Sequence, residues 1–292
     1  MNDARTIEID ANGLKLVAYE KGEGPLIICQ HGFPDHPRSF RHQVDPLVAA
    51  GYRVVVPYLR GYAPSEAPAD GAYQIAALAR DLIGIVDALG EERATLFGHD
   101  WGAIAGYAAM IKAPERWDRF ISVAVPYGPA FGAAFLTSFA QLKRSWYVFF
   151  FQTPIAEAVL PADDCAFVRN LWADWSPGWE PPKQELDTVC EMLGRPEVAT
   201  AAIGYYRAMI DPAYQKPELA AEQELFQIAP IEVSTLYIHG ADDGCLGVET
   251  AVGMEDSFPA GLTRLLVEGA GHFVHQEKPD AVNRAVLDFL KA

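Results

Sequence analysis

Long apolar runs are missing from this chain. The aromatic run at residues 146–151, Trp146-Tyr147-Val148-Phe149-Phe150-Phe151, is far shorter than the roughly 20 residues that cross a hydrocarbon core. Residues 1–10 carry charges and lack the apolar stretch of a signal peptide, so a soluble, cytoplasmic protein with no membrane partner is expected. Cationic side chains are scarce: 23 Lys and Arg stand against 39 Asp and Glu, a formal net charge of −16. Such a surface repels phosphate backbones and anionic headgroups, which argues against a nucleic-acid partner. Cysteine is sparse too. The four residues Cys29, Cys165, Cys190 and Cys245 form no C-x-x-C pair and have no nearby His at ligand spacing, so neither a disulfide framework nor a zinc set is expected. There is no internal repeat and no low-complexity segment, and with 50% hydrophobic and 21% charged residues the chain is not a disordered one.

The chain that remains has 292 residues, enough for one large domain or a core with a sizeable insertion. Short β-rich runs alternate with longer helical ones as far as residue 125. Residues 6–10 and 14–19 flank the turn-prone pair Asn12-Gly13 and predict a hairpin. The apolar runs 26–29, 53–57, 94–97 and 120–125 suit parallel strands covered on both faces, and 38–50, 75–89 and 101–111 carry helical periodicity. From Tyr127 to Phe226 the alternation gives way to aromatic-rich helices broken by prolines. It resumes with strands at 233–239 and 263–267 and a helix at 279–290. This predicts an α/β fold: a mostly parallel sheet with an N-terminal antiparallel hairpin and flanking helices, formed by residues 1–126 and 227–292, and a helical lid inserted at 127–226.

The stretch Gly98-His99-Asp100-Trp101-Gly102 falls where a buried strand meets a helix. Glycines on both sides of a central residue permit the crowded turn that lifts its side chain to the C-terminal edge of the sheet. The central residue is Asp100. A carboxylate there can attack an sp³ carbon bearing a leaving group and form an alkyl ester on the enzyme; its plain alternative is a helix N-cap. Further along, Asp243 in Gly240-Ala241-Asp242-Asp243 and His272 in Gly269-Ala270-Gly271-His272-Phe273 each follow a predicted strand. The order nucleophile, acid, histidine is that of α/β hydrolases. In this reading His272 activates water and Asp243 holds its tautomer, with Asp242 as the fallback acid and a turn and a loop histidine as the plain alternatives. No carboxylate follows the strand at 120–125 that could take the acid role instead. The N–H groups of Phe33 and Trp101 are candidates for an oxyanion hole, whereas His31 and His275 read as packing histidines.

His31-Gly32-Phe33-Pro34, Arg60-Gly61-Tyr62, Gly98-His99-Asp100-Trp101-Gly102 and Gly271-His272-Phe273 together resemble the epoxide hydrolase branch of the α/β-hydrolase superfamily over nearly the whole chain. The resemblance implies two tyrosines in the inserted helices that support the epoxide oxygen. Trp146-Tyr147-Val148 and Gly204-Tyr205-Tyr206-Arg207 match the segments that carry them, at Tyr147 and Tyr206. It also implies a small-molecule epoxide and water as reactants, no cofactor and no metal, and a monomer or homodimer. Phe33, Trp101, Trp146, Phe149, Phe150 and Phe151 are the expected substrate-binding residues. Haloalkane and fluoroacetate-type dehalogenases share the Asp nucleophile and are the alternative enzymes. Their halide-binding patterns fit less well, since Phe33 stands where the former commonly place Asn and Trp101 where the latter typically place Arg. A non-catalytic ligand-binding relative is the alternative from another class.

Overall fold

The computed structural model describes residues 3–226 and 228–292, so the expected domain bounds at residues 1 and 227 lie outside the described residues. Eight strands, β1 (Arg5–Ala11), β2 (Leu14–Lys21), β3 (Leu26–Gln30), β4 (Arg53–Pro57), β5 (Ala94–His99), β6 (Trp117–Val123), β7 (Thr235–Gly240) and β8 (Leu262–Val267), form one sheet in the order β1-β2-β4-β3-β5-β6-β7-β8. The pairs β1/β2 and β2/β4 are antiparallel and the rest are parallel. This is the expected α/β architecture with its N-terminal hairpin. Asn12 and Gly13 take φ of 48° and 75°, the left-handed pair that a two-residue hairpin turn requires.

The central strands β3, β5 and β7 are buried along their whole length, as parallel strands covered on both faces must be. One face carries α1 (Arg41–Ala49), beside the C-terminal helix Pro279–Lys291. The other carries α2 (Ile75–Ala88) and α3 (Trp101–Lys112), packed against each other. Boundaries shift where local chemistry overrides the apolar pattern. β5 runs two residues past the expected end because Gly98 and His99 still pair with Gln30 and Val123. β6 begins three residues early, at Trp117, despite the charges on Asp118 and Arg119, and stops at Val123 because Ala124 turns to φ 69°.

Between β6 and β7 the chain forms α4 (Pro129–Thr137), α5 (Phe139–Arg144), α6 (Trp146–Phe150), α7 (Ala156–Val159), α8 (Ala162–Trp175), α9 (Lys183–Leu193), α10 (Pro196–Ile210) and α11 (Ala220–Leu225). Polar contacts tie this segment to the sheet domain. Arg38 makes a bidentate pair with Glu185 on α9, Arg80 pairs with Glu222 on α11, and the Trp172 indole donates to the Pro34 carbonyl at 2.7 Å. After β8 the chain passes through the short α12 (Val274–Glu277) into α13 (Pro279–Lys291). Among the described residues no helix is long and apolar enough to cross a membrane.

Candidate active site

β5 ends at His99 and α3 starts at Trp101, so Asp100 must reverse the chain in a single residue. It does so at φ 51°, ψ −118°, a strained conformation for a residue with a Cβ. The turn closes only because its neighbours are glycines. A Cβ on Gly98 would strike the Gly102 carbonyl, one on Gly102 would strike the Gln30 carbonyl on β3, and one on Gly32 would strike the Asp100 carboxylate itself. The Asp100 side chain makes no capping bond to its own helix. Instead its Oδ1 accepts the Phe33 N–H at 2.7 Å, and its Oδ2 lies 3.6 Å from His272 Nε2. The plain helix-cap alternative is therefore set aside.

His272 sits in the loop after β8, where its backbone N–H donates to the Trp175 carbonyl at 2.9 Å. Its Nδ1 meets Asp243 Oδ2 at 2.9 Å, which leaves Nε2 facing Asp100 with no hydrogen-bond partner. Burial opposes the imidazolium, yet Asp243 foremost and then Asp100 outweigh it and push His272 up to about 10. Asp243 lies in the loop after β7, and its Oδ1 accepts the N–H groups of Cys245 at 2.7 Å and Leu246 at 2.9 Å. Burial alone would raise its carboxyl. The charge of His272 and bonds from His239 and His272 reverse the sign and hold it below the usual carboxylate range. Asp242, the fallback acid, is exposed.

Two tyrosines from separate inserted helices close the space above Asp100. The rings of Tyr147 on α6 and Tyr206 on α10 are 5.6 Å apart, and Tyr206 packs edge-on against Phe33 at 5.3 Å and Trp101 at 5.2 Å. Burial first, and the nearby Asp100 charge among the lesser causes, raises both phenols well above the ordinary value, so both keep their protons at neutral pH. The Tyr147 hydroxyl has the Cys245 sulfur at 3.5 Å, and the Tyr206 hydroxyl is buried without a hydrogen-bond partner.

The expected aromatic wall is corrected by helix geometry. Positions 147 and 151 are four apart and face inward together, and Phe151 contacts Phe33, Tyr147 and Tyr206. Trp146 and Phe149 lie on the outer side of that turn and are about half exposed, at 46% and 49%. Phe150 stacks on Phe167 and, among the rings of the site, meets Phe151 alone, at 6.1 Å between centroids. Of the six residues expected to bind substrate, Phe33, Trp101 and Phe151 adjoin the buried site, while Trp146, Phe149 and Phe150 do not.

Other functional neighbours escaped the sequence reading. His239 Nε2 contacts both Asp243 Oδ2 at 3.2 Å and the Leu246 carbonyl at 3.0 Å; because a carbonyl only accepts, Nε2 carries a proton, and Nδ1 accepts from the Tyr237 hydroxyl at 2.6 Å. Trp175 touches both His272 and Tyr147, each at 5.0 Å between ring centroids. Behind His272, the side chains of Asp35, His99 and His275 bring ligand atoms within 4.8 Å of one another, the one such group among the described residues that could hold an ion. His99 Nε2 donates there to the His272 carbonyl at 3.0 Å. His31 is wholly buried, bonded to the Gly32 carbonyl and the Leu59 N–H, and pushed down to about 3 chiefly by burial, as suits a packing histidine.

A strained carboxylate elbow with an Asp-supported histidine at the C-terminal edge of a parallel sheet defines a hydrolase of the α/β type. Residues 25–279 match the family model for the alpha/beta hydrolase fold. The chain is 30% identical to epoxide hydrolase A of Mycobacterium tuberculosis over 97% of its own length and 96% of that protein. The crystal structure of epoxide hydrolase A from Mycobacterium thermoresistibile superposes with a TM-score of 0.82 at 31% identity, covering 99% of this chain and 98% of that one. A putative epoxide hydrolase from Klebsiella pneumoniae gives 0.89 at 26% identity, with 99% and 98% covered. The chain belongs to the α/β-hydrolase superfamily and, within it, to the epoxide hydrolases.

Proposed function

We propose that this protein hydrolyses epoxides to vicinal diols through a covalent ester on Asp100. The observation that carries the reading is one carboxylate held between the Phe33 N–H and His272, with two protonated tyrosines above it. Because Oδ1 is engaged by Phe33, Oδ2 is the attacking atom. It forms a bond to an epoxide carbon as the ring C–O bond breaks, and Tyr147 and Tyr206 donate hydrogen bonds to the departing oxygen, a poor leaving group without them. A halide would need no such donors.

Ester formation removes the Asp100 charge, one of the causes that keep His272 protonated. The proton that His272 then gives up balances the one gained by the alkoxide. Neutral His272 takes a proton from water, which attacks the Asp100 carbonyl carbon while the amides of Phe33 and Trp101 stabilise the oxyanion at Oδ1. The bond from that carbon to Oδ2 then breaks, His272 returns its proton to Oδ2 as the diol leaves, and the acid left on Asp100 passes its proton to His272. No step calls for a metal or an organic cofactor. Residues 127–226 act as the lid that keeps bulk water from the ester, and the apolar surround of Phe33, Trp101 and Phe151 suits aryl or alkyl epoxides better than anionic ones. A cytoplasmic monomer or homodimer is the setting that fits the reading.

Epichlorohydrin tests it, because it carries both an epoxide and a carbon–chlorine bond. Enzyme-dependent 3-chloro-1,2-propanediol, lost in Asp100→Asn, is the expected product. Glycidol with free chloride would identify a dehalogenase, and saturable binding without turnover would identify a non-catalytic relative.

A further inference from the structure

Two of the four cysteines, far apart in sequence and outside the catalytic site, come together between two of the inserted helices, where they are 4% and 9% exposed. Cys165 lies near the start of α8 and Cys190 on α9. α8 packs against α9, and both cysteines line one cavity of about 380 Å³ together with Asp164, Arg169, Lys183 and Asp187. Arg169 is anchored there by Asp187 at 2.8 Å. Cys165 ends a run of three non-glycine residues with left-handed φ, Asp163 at 50°, Asp164 at 53° and Cys165 at 61°, a strained turn in what is otherwise helix. The neighbouring Cys190 side chain first, then the Arg169 guanidinium among the lesser causes, holds the Cys165 thiol below its ordinary value, while Cys190 is raised. A thiol whose proton is held less tightly than usual, beside a guanidinium and a second thiol and lining a cavity, is the arrangement that reactive cysteines need. At Cys29, by contrast, burial alone acts, and it raises the thiol.

From this pair α8 leads directly to the catalytic histidine. Its last turn carries Trp172, stacked on Phe273 at 4.2 Å between centroids. It also carries Trp175, whose carbonyl accepts from His272 and Gly244 and whose ring touches both His272 and Tyr147. α9 is fixed to the sheet domain through Glu185 and Arg38. A covalent link between α8 and α9 therefore bears on the element that seats His272.

We propose that Cys165 and Cys190 are an oxidative modification site, at which a hydroperoxide converts the two thiols to a disulfide that joins α8 to α9 and alters turnover. The Cys165 thiolate attacks the peroxide; an S–O bond forms, the O–O bond breaks, and the leaving oxygen takes a proton to become water or an alcohol. Sulfur is oxidised to the sulfenic acid and the peroxide is reduced. The Cys190 thiol then attacks that sulfur, the S–S bond forms, and hydroxide leaves with the thiol proton as water. Two thiols and one hydroperoxide give a disulfide, an alcohol or water, and one water.

The test treats the reduced full-length protein with hydrogen peroxide, alkylates the remaining thiols and maps peptides without reduction. The expected result is a Cys165–Cys190 crosslinked peptide with Cys29 and Cys245 still alkylated, reversed by dithiothreitol. Cys190→Ser should stop at a sulfenic acid on Cys165, trapped by dimedone. First oxidation at Cys29 or Cys245, or all four thiols intact, would overturn the proposal. The disulfide form should turn over epoxide at a rate about 2- to 30-fold changed from the reduced form, the range that coupling through a packed element supplies. Unchanged turnover in protein shown to carry the crosslink would overturn the link to the catalytic site.

Discussion

Removing the Tyr206 hydroxyl should make the protein more stable and the enzyme much slower. In the resting protein this hydroxyl is buried without a hydrogen-bond partner, although the Trp101 indole lies close by. A buried polar group left unsatisfied costs about 1–3 kcal/mol relative to its hydrated state. Tyr206→Phe removes that cost while keeping the ring contacts with Phe33, Trp101, Tyr147 and Phe151. With the indole nearby the gain belongs at the low end, about 1 kcal/mol, or roughly 2–4 °C in Tm for a large domain. In the proposed ring-opening transition state the same hydroxyl meets a developing alkoxide. Donors of that kind are worth about 2.7–4 kcal/mol, a loss of roughly 10²- to 10³-fold when one is removed. Single-turnover rapid quench with mass detection of the Asp100 ester separates the steps, and calorimetry reads Tm. Ester formation should slow by that factor and ester hydrolysis by less than about threefold. A fall in Tm, or equal slowing of both steps, would refute the reasoning.

Asp243→Asn should let the ester form and then stall, because His272 loses the partner that fixes its tautomer; turnover should drop by about 10³- to 10⁴-fold with the adduct visible on intact-mass spectra. In Asp100→Asn one of the charges that raise His272 is gone, so its C2-proton NMR titration should have a lower midpoint than in the protein with Asp100; an unmoved midpoint would contradict the electrostatic assignment. Gly32→Ala should abolish ester formation, because its Cβ would strike the Asp100 carboxylate, whereas Gly102→Ala should yield little folded protein, because its Cβ would strike β3 backbone; soluble expression and product assays tell the two apart.

The parts of the molecule that could be read from the sequence were those with a local rule behind them. The hairpin followed from Asn12-Gly13, the buried strands from continuous apolar runs, and the elbow from two glycines around Asp100. Asp243 and His272 could be placed because each lies just past a strand that the pattern marks. His239 could not. Its position inside β7 reads as one more strand residue, and its grip on Asp243 depends on a loop closing back at Leu246. The aromatic wall was over-read for a related reason. Composition gathers six aromatic or apolar residues at 146–151, but a helix divides them between two faces, and only Tyr147, Val148 and Phe151 turn inward. The Cys165–Cys190 contact joins two helices whose relative placement no local pattern encodes.

The arrangement of charge explains why one histidine can serve a reaction that needs a proton delivered and then a proton removed. Two carboxylates flank a single buried imidazole, Asp243 at 2.9 Å and Asp100 at 3.6 Å, and in the proposed cycle only Asp100 changes charge. While Asp100 is ionised, His272 holds its proton and cannot act as a base. Once Asp100 is esterified, His272 keeps one carboxylate instead of two in a fully buried site where desolvation already opposes the cation, so its proton affinity falls just when water must be activated. Asp243 does not release its own hold, because two backbone N–H groups and His239 keep it ionised throughout. In the proposed mechanism the nucleophile is thus also the switch for the base, and a substitution that neutralises Asp100 should disturb His272 even where no substrate is present.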